Sequence, residues 1–270
     1  MIRILSILVG LFFTVALAWS LLLGGIALSK DGLPHTVESV FHKHPKEVEF
    51  ASDGAFGKFD NAQLQRGFKV YSEVCSNCHA LKQVAFRDLK AIGYNDDEVK
   101  AIAKKVQVPV YNPATGEVKT HDGLPTDHFP PVVYAGQGSP PDLSLITKAR
   151  HEGPAYVYSL LTGYQPQPAE LLKKFPDSKT PPSLHYNPYF ANLNIAMPPP
   201  LAADGQVTYA DGTKSTVDQM AKDVAAFLVW TAEPKLEARH RAGLAVIIFL
   251  LIATTLAYLS YRNIWAGVKH

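Results

Sequence analysis

The sequence predicts a mainly α-helical domain with long proline-rich loops, held to a membrane by a C-terminal transmembrane helix. Three observations carry that expectation. Apolar residues recur at helical spacing in a few short segments only. Seventeen of the 20 prolines fall between Pro109 and Pro200, where they exclude extended helix and central strand. Ala242 to Tyr261 is a run of 20 residues without a charge, enough to cross about 30 Å of hydrocarbon at about 1.5 Å per residue.

From the N-terminus, Met1-Ile2-Arg3 leads into an apolar stretch from Ile4 to Leu28, which reads as an export signal or a first membrane span. Ala16 to Ala18 resembles a cleavage site, with Gly25 to Ala27 as a second one, although the apolar run continues to Leu28. The segment lacks the Arg and Ser richness of a mitochondrial targeting sequence, so a bacterial exported chain fits better. The expected division is residues 1–28 as signal or apolar segment, 29–238 as the soluble domain, 239–262 as the anchor and 263–270 as a tail. His35, His42 and His44 have no carboxylate or thiol companions and read as exposed histidines, not as a metal site.

Within the domain, Asp60 is placed to cap a helix in which Leu64, Phe68, Tyr71 and Val74 share a face. Asn95, Asp96 and Asp97 open a second helix with Val99, Ile102, Ala103 and Val106 on its apolar side. A third region starts at Ser144 or Pro154 and carries Tyr156, Leu160 and Leu161. The last helix begins near Ser215 and Thr216 and sets Val217, Met220, Val224, Phe227 and Leu228 on one side, ending near Glu233-Pro234. "YADGT" at 209–213 reads as a tight turn between two short strands. The proline-rich stretch between is expected to be ordered loop, because Tyr134, Tyr156, Tyr158, Tyr164, Phe175, Tyr186, Tyr189 and Phe190 are spread through it and call for packing.

Residues 30 to 238 hold 21 Lys and Arg against 24 Asp and Glu, a net charge of minus three, so the positive balance of the whole chain comes from the flanks of the membrane segments. Nothing in this distribution points to nucleic acid. A mildly acidic domain suits a basic soluble partner.

The chemistry is concentrated in "EVCSNCHALK", residues 73–82, which contains both cysteines of the chain. Cys75, Cys78 and His79 form C-x-x-C-H, for which three readings compete: a redox dithiol, half a zinc site and covalent haem attachment. A dithiol gains nothing from His79, and zinc needs about two further ligands from distant histidines. The haem reading uses all three residues, the thiols bonding the porphyrin and the imidazole reaching the iron from one face. It also accounts for a lone thiol pair in an oxidising compartment. Haem attachment takes place outside the cytoplasm, which puts the domain in the periplasm and "RNIWAGVKH" inside.

The sixth iron position decides the chemistry: an open site permits ligand reactions, whereas a thioether closes it and raises the potential. Of three methionines, Met1 lies in the leader and Met220 on the apolar side of the last helix. Met197, in "NIAMPPPL", sits on a proline-bounded loop and is the expected sulfur ligand, with a bis-histidine site as the alternative. A peroxidase would need an open iron or a second C-x-x-C-H, and the sequence contains no second motif.

Taken in order, "GFKVYSEVCSNCHALK" at 67–82, "PPDLS" at 140–144, "KARHEGPAYVYSLLTGY" at 148–164, "YNPYFANLNIAMPPPL" at 186–201, "VDQMAKDVAAFLVWTAEP" at 217–234 and "RHRAGL" before the anchor resemble cytochrome c1, the haem subunit of ubiquinol-cytochrome c reductase, from about Phe50 to Trp265. The resemblance implies a class I cytochrome c-like haem domain carrying one covalently bound haem c on Cys75 and Cys78, with His79 and Met197 as iron ligands. It places Arg150 beside a haem propionate and Tyr156 at the haem, makes Gly67 and Tyr71 the helix-crossing pair, and has a carbonyl near Pro140 or Pro141 accept the second imidazole proton of His79.

The implied function is electron carriage: by itself the chain is a carrier, and as a subunit of the quinol-cytochrome c reductase it is part of an enzyme. The implied partners are a cytochrome b subunit, a Rieske iron-sulfur protein, a c-type cytochrome acceptor and the lipid bilayer, in a dimeric complex at the bacterial inner membrane, single-pass after signal removal. A membrane-anchored cytochrome feeding a terminal oxidase is the competing reading. The chain departs from some bacterial relatives in lacking an extra cysteine pair and a longer insertion before the methionine, and from mitochondrial members in lacking a strongly acidic segment. Its methionine loop must then be held by packing alone.

Overall fold

The computed structural model describes residues 2–32, 36–111, 113, 115–136 and 138–268; His35 and Lys269 lie outside the described residues. Helix α1, Ile2–Asp31, is exposed along residues 2–30. The short α2, Val37–Phe41, is capped by Thr36 Oγ1, which accepts from Ser39 N at 3.2 Å. His42 and His44 are exposed. After them the chain straps onto the domain: Lys46 N donates to the buried Ser159 Oγ at 2.7 Å, and Lys46 Nζ donates to Thr162 Oγ1 at 2.7 Å.

Helix α3, Asn61–Glu73, begins where Asp60 Oδ1 accepts from Ala62 N and Gln63 N at 3.0 and 3.3 Å, a cap worth about 1 kcal/mol. It buries Leu64, Phe68 and Tyr71 as its spacing predicts. A 3-10 helix, Phe86–Ile92, follows and was not foreseen; its buried Phe86, Leu89 and Ile92 recur every third residue, the period of that helix rather than of the α-helix. Gly93, at φ 102°, ends it in a backbone region that disfavours side chains. Helix α4, Asp96–Lys104, starts with Asn95 and Glu98 in a reciprocal capping box.

The proline-rich stretch is loop interrupted by small elements. Strands β1, Gln107–Tyr111, and β2, Val118–Asp122, pair antiparallel with Pro109 opposite Thr120. This hairpin was not legible, since most of its side chains are exposed and no apolar alternation marks it. Pro109 is tolerated because a two-stranded ribbon has only edges. The helical region expected from Ser144 or Pro154 is two helices, α5, Ile146–Ala149, and α6, Gly153–Leu161, the latter with Pro154 in its first turn. Then come α7, Ala169–Lys174, and the short pair β3, His185–Tyr186, and β4, Asn194–Ile195. None of the eight loop aromatics is exposed, which bears out ordered packing.

Helix α8, Val217–Ala232, is capped by Thr216 and packs across α3, with Phe68, Tyr71 and Trp230 each set at a tilt against Phe227 at centroid distances of 5.6 to 5.9 Å. Beside the crossing, the fully buried Asp223 accepts from Arg66 Nε at 2.9 Å and from Gln219 Nε2 at 2.8 Å. The segment at 209–213 does turn, with Gly212 at φ 78°, but no strands flank it. Asp211 is taken up instead by Thr213 N at 3.0 Å and by Arg66 Nη1 at 2.7 Å. Helix α9, Leu236–Trp265, starts before the charge-free run: Leu236 is buried on the domain, and almost every side chain from Ala242 on is exposed, as a bilayer-crossing helix requires.

Candidate haem site

The motif residues leave α3 in a single tight turn. Cys75–Asn77 form one 3-10 turn, and Cys75 O accepts from Cys78 N at 3.1 Å and from His79 N at 2.9 Å. Both cysteines are free and, like His79, partly exposed as residues. The Cys75 thiol itself is crowded by protein, and that burial, reinforced by neighbouring Cys78, pushes it up to about 12. Such a thiol stays protonated at neutral pH, the opposite of what a reactive dithiol requires. Among the described residues no group of three or more His, Cys, Asp or Glu side chains gathers as a metal site, so the zinc reading lacks its further ligands.

His79 is oriented by a neighbouring segment. Its Nδ1 lies 2.8 Å from Pro141 O; a carbonyl only accepts, so Nδ1 carries the proton and the Nε2 lone pair is left for a metal. The segment 140–144 is zipped alongside 80–83: Leu143 N donates to Ala80 O at 2.9 Å, Lys82 N to Asp142 Oδ2 at 2.9 Å, and Gln83 N to Ser144 Oγ at 3.1 Å. Tyr71 OH donates to His79 O at 2.9 Å, joining the α3 crossing to the histidine.

Met197 follows the β3–β4 pair. Leu193, buried and at φ 64°, adopts a conformation unusual for a bulky residue. It is held there because its N–H donates to Phe190 O at 2.9 Å and its carbonyl accepts from Asn187 N at 2.8 Å. Met197 is partly exposed, and its carbonyl accepts from Tyr164 OH at 3.0 Å, which fixes the backbone there. Met220 is fully buried in the core. The Tyr164 contact was beyond sequence reasoning, which marked Tyr164 only as a packing aromatic.

Arg150 and Tyr156 come together as well. Glu152, at φ 55°, reverses the chain between α5 and α6. The exposed Arg150 side chain donates from Nη1 to Ala149 O at 3.0 Å, and its charge near Tyr156 partly offsets the rise in the Tyr156 pKa that burial causes. Burial, with Tyr156 nearby, also raises Tyr164. Two thiols and an imidazole in one turn, with the histidine held in one tautomer, are a donor set that fits a covalently held haem.

Residues 50–268 match the family model described as the Cytochrome C1 family. The chain is 40% identical over 268 residues to cytochrome c1 of Rhodospirillum rubrum, covering 93% of this chain and 97% of that protein. It is 39% identical over 264 residues to cytochrome c1 of Cereibacter sphaeroides, covering 84% and 88%. Against the cytochrome b/c1 of Bradyrhizobium diazoefficiens it is 43% identical over 245 residues, covering 82% of this chain and 36% of that longer protein.

Proposed function

The chain belongs to the cytochrome c1 family, and from that premise we propose that it relays single electrons from a Rieske iron-sulfur protein to a soluble or tethered c-type cytochrome within the cytochrome bc1 complex. The observation that carries the proposal is the pairing of His79 Nδ1 with Pro141 O, which prepares one imidazole nitrogen for iron beside two thiols in the same turn.

When bound, haem c supplies a one-electron iron couple. Cys75 and Cys78 would hold it through thioether bonds, and His79 and Met197 would ligate its iron, a donor set that would favour the reduced state and one-electron transfer over substrate binding. Pro141 O keeps His79 in one tautomer and orientation. Tyr164 holds the Met197 backbone, so the loop that would present the sulfur is braced by a hydrogen bond instead of by a disulfide. Arg150 would offer its guanidinium to a haem propionate, with Tyr156 beside it at the haem.

Cytochrome b is the expected membrane partner, in keeping with the fused name of the Bradyrhizobium relative. The domain is assigned to the periplasmic side of a bacterial inner membrane, α9 being the single anchor after removal of α1, and the assembled complex is a dimer. Purification of the full chain from its own membranes tests the reading. Recovery with cytochrome b and a Rieske protein, together with quinol-dependent reduction of a c-type cytochrome, is expected; recovery with an oxidase core would overturn it.

A further inference from the structure

The loop before α3 carries a side chain that the haem site does not use. Phe56 is 77% exposed, whereas Phe50 and Phe59 on either side of it pack into the core. The backbone reverses around it: Asp53 N donates to Phe50 O at 3.0 Å, Gly57 N to Gly54 O at 3.3 Å and Lys58 N to Ala51 O at 2.8 Å. The Asp53 carboxylate is turned back to accept from Phe50 N at 2.8 Å, and Gly54 takes φ 75°. Residues 54–56 are thus the tip of a closed loop.

The returning arm of this loop lies along the first turn of α9. Phe59 N donates to Glu237 Oε1 at 2.9 Å, and Gly57 O lies 3.3 Å from His240 Nδ1. As the arm is followed from 59 back to 57, it descends beside 237 to 240, about 4.5 Å along the axis at about 1.5 Å per residue. Phe56 adjoins Gly57, which is held beside His240, two residues before the charge-free run begins at Ala242. Lys58 and Arg241 are exposed, and among the described residues neither has an ion-pair partner.

We propose that the 54–56 tip is a second membrane contact, with Phe56 seated between the headgroups and upper acyl chains of the leaflet that α9 enters, and Lys58 and Arg241 facing lipid phosphates. The inference rests on α9 being the membrane anchor. The occupant is lipid because the arm that carries the tip is held against the helix at Glu237 and His240, within a few residues of the point where that helix passes from a charged to an uncharged surface. A single helix leaves a domain free to swivel about its axis, and an off-axis contact sets its rotation and tilt, which fixes the direction in which the haem pocket faces.

The test uses the full haem-loaded chain, in which thioether bonds occupy both native cysteines. A nitroxide is attached at Phe56→Cys and the protein is reconstituted in phosphatidylethanolamine and phosphatidylglycerol vesicles. Collisions of the label with oxygen and with a water-soluble nickel chelate are compared with those of the free label. Nickel access reduced several-fold with oxygen access retained is the expected result. Nickel access equal to that of the free label, on protein that floats with the vesicles, would overturn the contact. Exclusion of both reagents would overturn it too, because the ring would then lie against protein. Protein that does not float with the vesicles would remove the anchor itself and the loop contact with it.

Discussion

Gly67 and Asp223 set how closely α3 and α8 cross: a Cβ placed on Gly67 would lie 2.1 Å from the carbonyl oxygen of Asp223, closer than any real contact. Tyr71, one turn along α3, hydrogen-bonds the His79 carbonyl, so the crossing and the haem histidine form one mechanical unit. Gly67→Ala must push the helices apart and is expected to destabilise the domain by about 1–3 kcal/mol, the usual range for overpacking. Lys69→Ala, which removes a largely exposed pair with Glu73, should stay within about 0.5 kcal/mol. Denaturant midpoints of the two variants make the comparison.

Cys75 and Cys78 share one 3-10 turn, so both can reach the same porphyrin edge. Denatured protein is expected to retain haem and to give a haemochrome spectrum of two thioether bonds, with Cys78→Ser shifted toward single attachment. Haem lost under denaturant would contradict covalent attachment.

Met197 and Met220 differ in surroundings, the first on a braced and partly exposed loop and the second fully buried. Each Met→Leu change conserves volume and should cost less than about 1.5 kcal/mol in stability. Only Met197→Leu is expected to lower the potential, abolish the ferric sulfur charge-transfer band and admit carbon monoxide. Identical behaviour of the two variants would exclude Met197 as a ligand.

Leu236 and Glu237 belong to α9 in sequence but to the domain by contact. A chain stopping after Ala238 keeps both and loses the charge-free run. It is expected to accumulate as soluble protein with an unchanged haem spectrum and to reduce an added c-type cytochrome, yet to assemble poorly with its membrane partners because helix packing in the bilayer is lost. Loss of methionine ligation on truncation would show that the anchor supports the pocket.

Glu233, just past the end of α8, is paired with Lys148 on α5 and with Arg239 on α9. The hydrogen bond from Lys148, more than that from Arg239, holds its carboxyl below the ordinary value of 4.5. A depressed folded-state pKa stabilises the fold above the unfolded value and loses that contribution as pH falls through the folded value. Stability of the full chain should therefore drop below about pH 4.5 more steeply than that of Glu233→Gln, measured by thermal unfolding in detergent.

By itself the sequence determined the local features of this protein. Caps at Asp60, Asn95 and Thr216 start helices where those residue types predict, because a side-chain oxygen within three residues satisfies an otherwise unpaired N–H. The apolar run from Ala242 and the Cys75-Cys78-His79 spacing are likewise local statements. Sequence also ruled out continuous helix through the proline-rich stretch, where the structure has loops and short elements. Where Tyr164 OH comes to lie could be decided only by tertiary structure, since it meets the Met197 carbonyl through a loop whose course no periodicity records, whereas the contact of Pro141 O with His79 was expected from the family resemblance alone. The 3-10 helix at Phe86–Ile92 and the β1–β2 hairpin were missed because one has an unfamiliar period and the other too little burial to leave a pattern. The placing of Gly57 and Phe59 beside α9 was invisible for a further reason: hydrogen bonds such as that from Phe59 N to Glu237 join residues 178 apart in the chain, and only the closed fold gives such pairs a shared position.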